Sequence, residues 1–114
     1  MKIMIAVDQP SLDSKISDRF ARTAYFLIYD LQDQKYQFIN NDIETKHGAG
    51  PKAVQLAIDN KVSAIISAIP GENAMDAIKE SKIKVYDGRG FSAKEALEKF
   101  KNGELKEVST THHL

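Results

Sequence analysis

Two arginines and one histidine are the side chains whose neighbours best suit them to hold a ligand. Arg19 and Arg22 sit in Ser17-Asp18-Arg19-Phe20-Ala21-Arg22-Thr23-Ala24-Tyr25-Phe26. Guanidinium forks match carboxylate or phosphate oxygens. The same stretch also fits a loop that Phe20 and Phe26 pin to the core while both arginines stay in water, and the residues alone weigh the two readings evenly. His47 opens His47-Gly48-Ala49-Gly50-Pro51, just ahead of a helical pattern. Unpaired N–H groups at a helix start favour an anion, and Gly48 and Gly50 let a ligand approach the backbone. An imidazole there can donate a hydrogen bond or ligate a metal near neutral pH. A lone histidine beside loop glycines is more often an exposed residue without a role, and it is the family resemblance given below that raises His47.

Two further turns stand where strands hand over to helices. Gly71, in Ile69-Pro70-Gly71-Glu72-Asn73, can present N–H groups to the same ligand, as can Asp87-Gly88-Arg89-Gly90. Turn chemistry by itself also explains both, and for the second it is the preferred explanation. His112-His113 belong to a threonine-rich end and receive no role.

Composition narrows the chemistry. Cysteine is absent, so this chain offers no thiolate to zinc or to an iron–sulfur cluster. A metal would have to be held by histidine, by carboxylate, or by groups on a bound cofactor. Sixteen basic and sixteen acidic residues cancel to zero net charge, removing the electrostatic attraction that dominates binding to nucleic acid or an anionic membrane. Neither is expected as a partner. The opening Met1-Lys2-Ile3-Met4-Ile5-Ala6-Val7-Asp8 is far shorter than a membrane span, so the expected location is cytoplasmic. At 114 residues the chain has length for one core. A single domain over 1–108 is expected, with 109–114 a flexible tail.

The elements that must position these residues follow from periodicity. Ile3 to Val7 is a short apolar run of the kind buried on both faces of a sheet. Tyr25 to Tyr29 and Tyr36 to Ile39, separated by Gln32-Asp33-Gln34-Lys35, read as a hairpin. Ala53, Val54, Leu56, Ala57 and Ile58 form a helical stripe, with Pro51 suited to the first helical position. Val62 to Ile66 and Ile83 to Tyr86 return to strand character, flanking a helix marked by Ala74, Ala77 and Ile78. Ser92 and Glu95 make a capping box for a last helix through Ala93, Ala96, Leu97 and Phe100, which Asn102-Gly103 stops. Right-handed crossovers then gather the ligand-binding candidates at one edge of the sheet, beyond the carboxyl ends of its parallel strands.

With these blocks in place, the chain resembles the dinitrogenase iron–molybdenum cofactor biosynthesis family, the NifX-like domains also found at the end of NifB. The resemblance runs from Met1 to about Val108. It is carried by Lys2 to Asp8, Ser17 to Asp30 against a family pattern S-x-H-F-G-R-A-x-Y-F, His47 to Ala57, Ala64 to Ala74, Ile83 to Gly88, and Asn102 to Leu105. It implies a three-layer α/β/α fold with a ribonuclease-H-like mixed sheet of five strands in the order 3-2-1-4-5. It also implies transient binding of the iron–molybdenum cofactor or an iron–sulfur precursor cluster, passed between donor and acceptor proteins. Arg19 stands where the family pattern has histidine, and Ala21 where it has glycine. The loop thereby lacks one candidate metal ligand of the family pattern, although an arginine can still pair with the cofactor's homocitrate carboxylates.

The expected function is therefore a metallocluster carrier and not an enzyme, with His47 as metal ligand and Arg19, Arg22, Gly48, Gly50 and Gly71 around the cargo. A regulatory or protein-interaction module is the first alternative. A ribonuclease-H-like hydrolase is the second, and it needs clustered carboxylates where only Asp8 is well placed.

Overall fold

The computed structural model describes residues 1–41 and 48–108. His47 and the 109–114 tail lie outside the described residues. Among those described, the chain runs β1 Lys2–Val7, β2 Tyr25–Asp30, β3 Tyr36–Asn40, α1 Ala49–Asp59, β4 Val62–Ser67, α2 Glu72–Ser81, β5 Lys84–Asp87, α3 Ala93–Lys101 and β6 Lys106–Val108. One mixed sheet has the order β3-β2-β1-β4-β5-β6. β1 is parallel to β4 and β4 to β5, while β2, β3 and β6 join antiparallel.

The five-strand order implied by the resemblance is present, with a sixth strand added to it. Lys106–Val108 pairs antiparallel with β5, Val85 facing Val108 and Asp87 facing Lys106. Three residues are too few to show a period of two, so this strand has no signature in the sequence.

The sheet is covered on both faces, and the alternation of β1 shows how. Met4 and Ala6 point to one side and pack with Phe26, Ile28, Ile65, Val85 and the buried stripes of α1 and α2 (Ala53, Val54, Ala57, Ala74, Ile78). Ile3, Ile5 and Val7 point to the other, with Leu27, Tyr29, Ile66 and the α3 residues Ala93, Ala96 and Leu97. A strand buried on both faces must be apolar throughout, which is why Ile3 to Val7 reads as an unbroken run. In β4 the register shifts where Lys2 and Ile3 meet Val62 and Ala64. That irregularity turns Val62 to the α1 side and Ala64 to the α3 side, against strict alternation.

Helix starts differ in one respect from expectation. α1 begins at Ala49, with Gly48 as its left-handed N-cap at φ 72°, so Pro51 is the third helical residue and not the first. The shift is harmless, because N–H groups throughout the first turn lack intrahelical partners and proline gives none up. In α3 the expected capping box is complete: Glu95 N–H donates to Ser92 Oγ at 3.1 Å, and Ser92 N–H to Glu95 Oε1 at 2.9 Å. Leu97 is buried, while Phe100 is half-buried against Tyr86 in an edge-to-face pair at 5.1 Å, and so sits at the rim of the core. Among the described residues no helix is long and apolar enough to cross a membrane.

Candidate functional site

Three of the four connections expected at the sheet edge converge on one cavity of about 600 Å3. The first wall is the loop from β1 to β2, which brings Asp18, Arg19, Phe20, Ala21 and Arg22. Its polar residues fix its course. Ser14 Oγ accepts from the N–H groups of Asp8 (3.1 Å) and Gln9 (2.9 Å), and Ser17 Oγ accepts from Arg19 N–H at 3.1 Å. Thr23 is buried and donates its hydroxyl to the Val7 carbonyl at 2.6 Å. Phe20 enters the core edge-to-face with Phe26 at 6.0 Å. The aromatic anchors therefore do pin the loop, and the same loop exposes both arginines on the cavity wall.

The second wall is the start of α1, with Gly48, Ala49, Gly50 and Pro51, and the third is the start of α2, with Ile69, Gly71, Glu72, Asn73 and Ala74. Neither helix has a side-chain cap. First-turn N–H groups and the positive ends of two dipoles thus meet at one place. The two helix starts come this close because residue 50 is glycine. A Cβ there would lie 3.0 Å from both Cβ and N of Ala74. Gly50 is accounted for by helix packing, whereas a Cβ on Gly48 or Gly71 would meet nothing within 4 Å. Those two glycines leave open space in front of the backbone.

Formal charge at the cavity balances, Arg19 and Arg22 against Asp18 and Glu72. Glu72, in the first turn of α2, interacts favourably with that helix's dipole and competes with an incoming anion. What remains is a cavity lined by two guanidinium forks, two carboxylates and first-turn N–H donors, able to address a ligand that carries anionic groups. Among the described residues no three His, Cys, Asp or Glu side chains come together as metal ligands.

The fourth connection stands apart. Asp87 accepts from Arg89 at three points: backbone N–H (3.0 Å) and Nε (3.0 Å) on Oδ1, and Nη2 (2.8 Å) on Oδ2. Those hydrogen bonds hold the Asp87 carboxyl below its usual 3.8, against an opposing effect of burial. Gly88 lies beneath β4, where a Cβ would be 2.6 Å from the Ile66 side chain. Turn geometry and packing explain this segment, as its sequence suggests. Asp8, the acid a hydrolase would need, is exposed and does not line the cavity.

Asn41 carries no signature in the sequence. Its side-chain amide donates to the carbonyls of Ala21 (2.9 Å) and Thr23 (2.8 Å), bracketing Arg22, and its N–H donates to Ala24 O at 3.0 Å. The partners lie about twenty residues earlier in the chain, so no local pattern announces them.

Comparisons with known proteins agree with the fold. The apo form of the orange protein from Desulfovibrio gigas superposes with a TM-score of 0.89 at 24% identity, over 95% of this chain and 92% of that one. A candidate NifB protein from Thermotoga is 36% identical, with a TM-score of 0.84 and coverage of 99% and 97%. A candidate dinitrogenase from Methanocaldococcus jannaschii is 28% identical, with a TM-score of 0.74 and coverage of 96% and 95%. No curated protein sequence matches. The profile of the dinitrogenase iron–molybdenum cofactor family matches residues 1–103, and the chain belongs to that family.

Proposed function

We propose that this domain is a metallocluster carrier of the nitrogenase accessory type, binding the iron–molybdenum cofactor or an iron–sulfur precursor transiently and passing it from a donor to an acceptor protein. The observation that carries the reading is the convergence of Arg19, Arg22 and the two uncapped helix starts on one cavity. Such a surface grips a cluster through its anionic periphery, carboxylate or sulfide, and leaves the metal centres exchangeable. A carrier needs that balance, because ligation through several protein side chains would slow release. His47, next in sequence to Gly48, is the one residue we assign to direct ligation. It must be neutral to bind metal, so affinity falls as pH drops through about 6.5. The role is binding and not catalysis.

Anaerobic titration with isolated iron–molybdenum cofactor, followed by absorption and EPR, tests the reading. Saturable binding that weakens in the Arg19→Gln, Arg22→Gln double variant and in His47→Ala supports it. Spectra of the cofactor unchanged by added protein would sink it.

A further inference from the structure

The two edges of the sheet are built differently. β6 is three residues long and carries Lys106 and Glu107, the usual protection against pairing with another chain. β3, Tyr36-Gln37-Phe38-Ile39-Asn40, is regular and has no charge, no proline and no bulge. Tyr36 is 49% exposed and continues an aromatic row from Tyr29, stacked at 5.8 Å, to Phe38, edge-to-face at 5.8 Å.

Hydrogen bonding fixes which groups the edge offers. Asp30 N–H donates to Lys35 O at 2.9 Å, and Asn41 N–H to Ala24 O at 3.0 Å. In an antiparallel ladder the pairs that exchange bonds alternate. Given the register Ile28 with Gln37 and Phe26 with Ile39, the backbone groups of residues 35, 37, 39 and 41 face β2. Those of Tyr36, Phe38 and Asn40 therefore face outward.

We infer that β3 is the contact by which two copies of this chain associate, pairing antiparallel about a two-fold axis at Phe38. In that register Phe38 faces Phe38 of the second copy and Tyr36 faces Asn40 in both directions. Only outward-facing groups are then opposed, so the ladder closes with about six backbone hydrogen bonds. On the α3 side, Phe38 meets Phe38 of the second copy, so that the two Tyr29–Tyr36–Phe38 rows join end to end across the axis. Charge favours this edge over the other, since the equivalent symmetric pairing of β6 would oppose Glu107 to Glu107. The inference stands apart from the carrier reading, because β3 contributes nothing to the cavity.

Sedimentation of the whole chain from micromolar to millimolar concentration, with residue-resolved amide exchange on the same samples, tests it. The expected result is a reversible dimer in which the amides of Tyr36, Phe38 and Asn40 slow by about tenfold or more as concentration rises. The amides of Gln37 and Ile39, already held by β2, should not respond. Tyr36→Lys, at a half-exposed position, should keep the chain monomeric at every concentration, with the dilute sample still melting in one cooperative transition, lowered only by the loss of the Tyr29 stack. A monomer at all concentrations overturns the inference. So does a dimer in which the Phe38 amide exchanges as fast as in the dilute sample, or protection of these amides only when another protein is added.

Discussion

Replacing Asn41 with alanine removes the two side-chain hydrogen bonds that hold the carbonyls of Ala21 and Thr23. Each is worth about 0.5–1.5 kcal/mol net, so the expected loss is about 1–3 kcal/mol. The backbone bond from Asn41 to Ala24 and the Thr23 bond to Val7 remain, so the fold survives. For a domain of this size that loss lowers the melting temperature by about 4–12 °C. Arg22 lies between the two released carbonyls, so cofactor affinity should fall by about tenfold, equivalent to about 1.4 kcal/mol. Asn41→Asp keeps the shape but points an ionised acceptor at two carbonyl oxygens, and should cost more than alanine at neutral pH. The introduced carboxyl has its folded pKa raised, because only its protonated form can donate to a carbonyl. Stability should therefore recover as pH falls towards about 4 and be lost as it rises. Thermal melts of both variants across that range, with titration at neutral pH, are the assay. Asn41→Ala melting within about 1 °C of wild type, together with a pH-independent Asn41→Asp, would refute the tether.

Other substitutions separate packing from ligand approach. Gly50→Ala should destabilise by about 1–3 kcal/mol in chemical denaturation, because its Cβ meets the backbone of α2 at Ala74. Gly71→Ala faces open space and should leave stability within about 0.5 kcal/mol, so any drop in cofactor affinity reports crowding of the ligand. Phe100→Ala should cost about 2 kcal/mol in the same denaturation, less than a fully buried phenylalanine, because the ring is half-buried and pairs with Tyr86 at the rim of the core. Asp87 is held below 3.8 by its hydrogen bonds from Arg89, so its contribution is present above that value and disappears as pH falls through the folded pKa. Asp87→Asn should flatten that acid limb in pH-dependent melts, and an unaltered limb would show that the pair contributes nothing.

Much of this molecule is determined by local sequence. β1 is legible because a strand buried on both faces must be apolar at every position, as Ile3 to Val7 are. α3 is legible because its cap, its stripe and its stop all lie within a dozen residues of one another. Arg19, Arg22, Gly48 and Gly71 could be singled out because their types and their places beside strand and helix ends limit what they can do. Tertiary structure alone decided the rest. Gly50 has the same sequence signature as Gly48, but its reason is the backbone of α2, brought against α1 across the fold. Asn41 and Thr23 act on carbonyls 16 to 20 residues away, a distance that no periodicity spans. The convergence of three connections, and the exclusion of the fourth, followed from how parallel strands align their carboxyl ends once the sheet had formed. Residue types fix which chemistry is available, and long-range pairing fixes which of those residues meet.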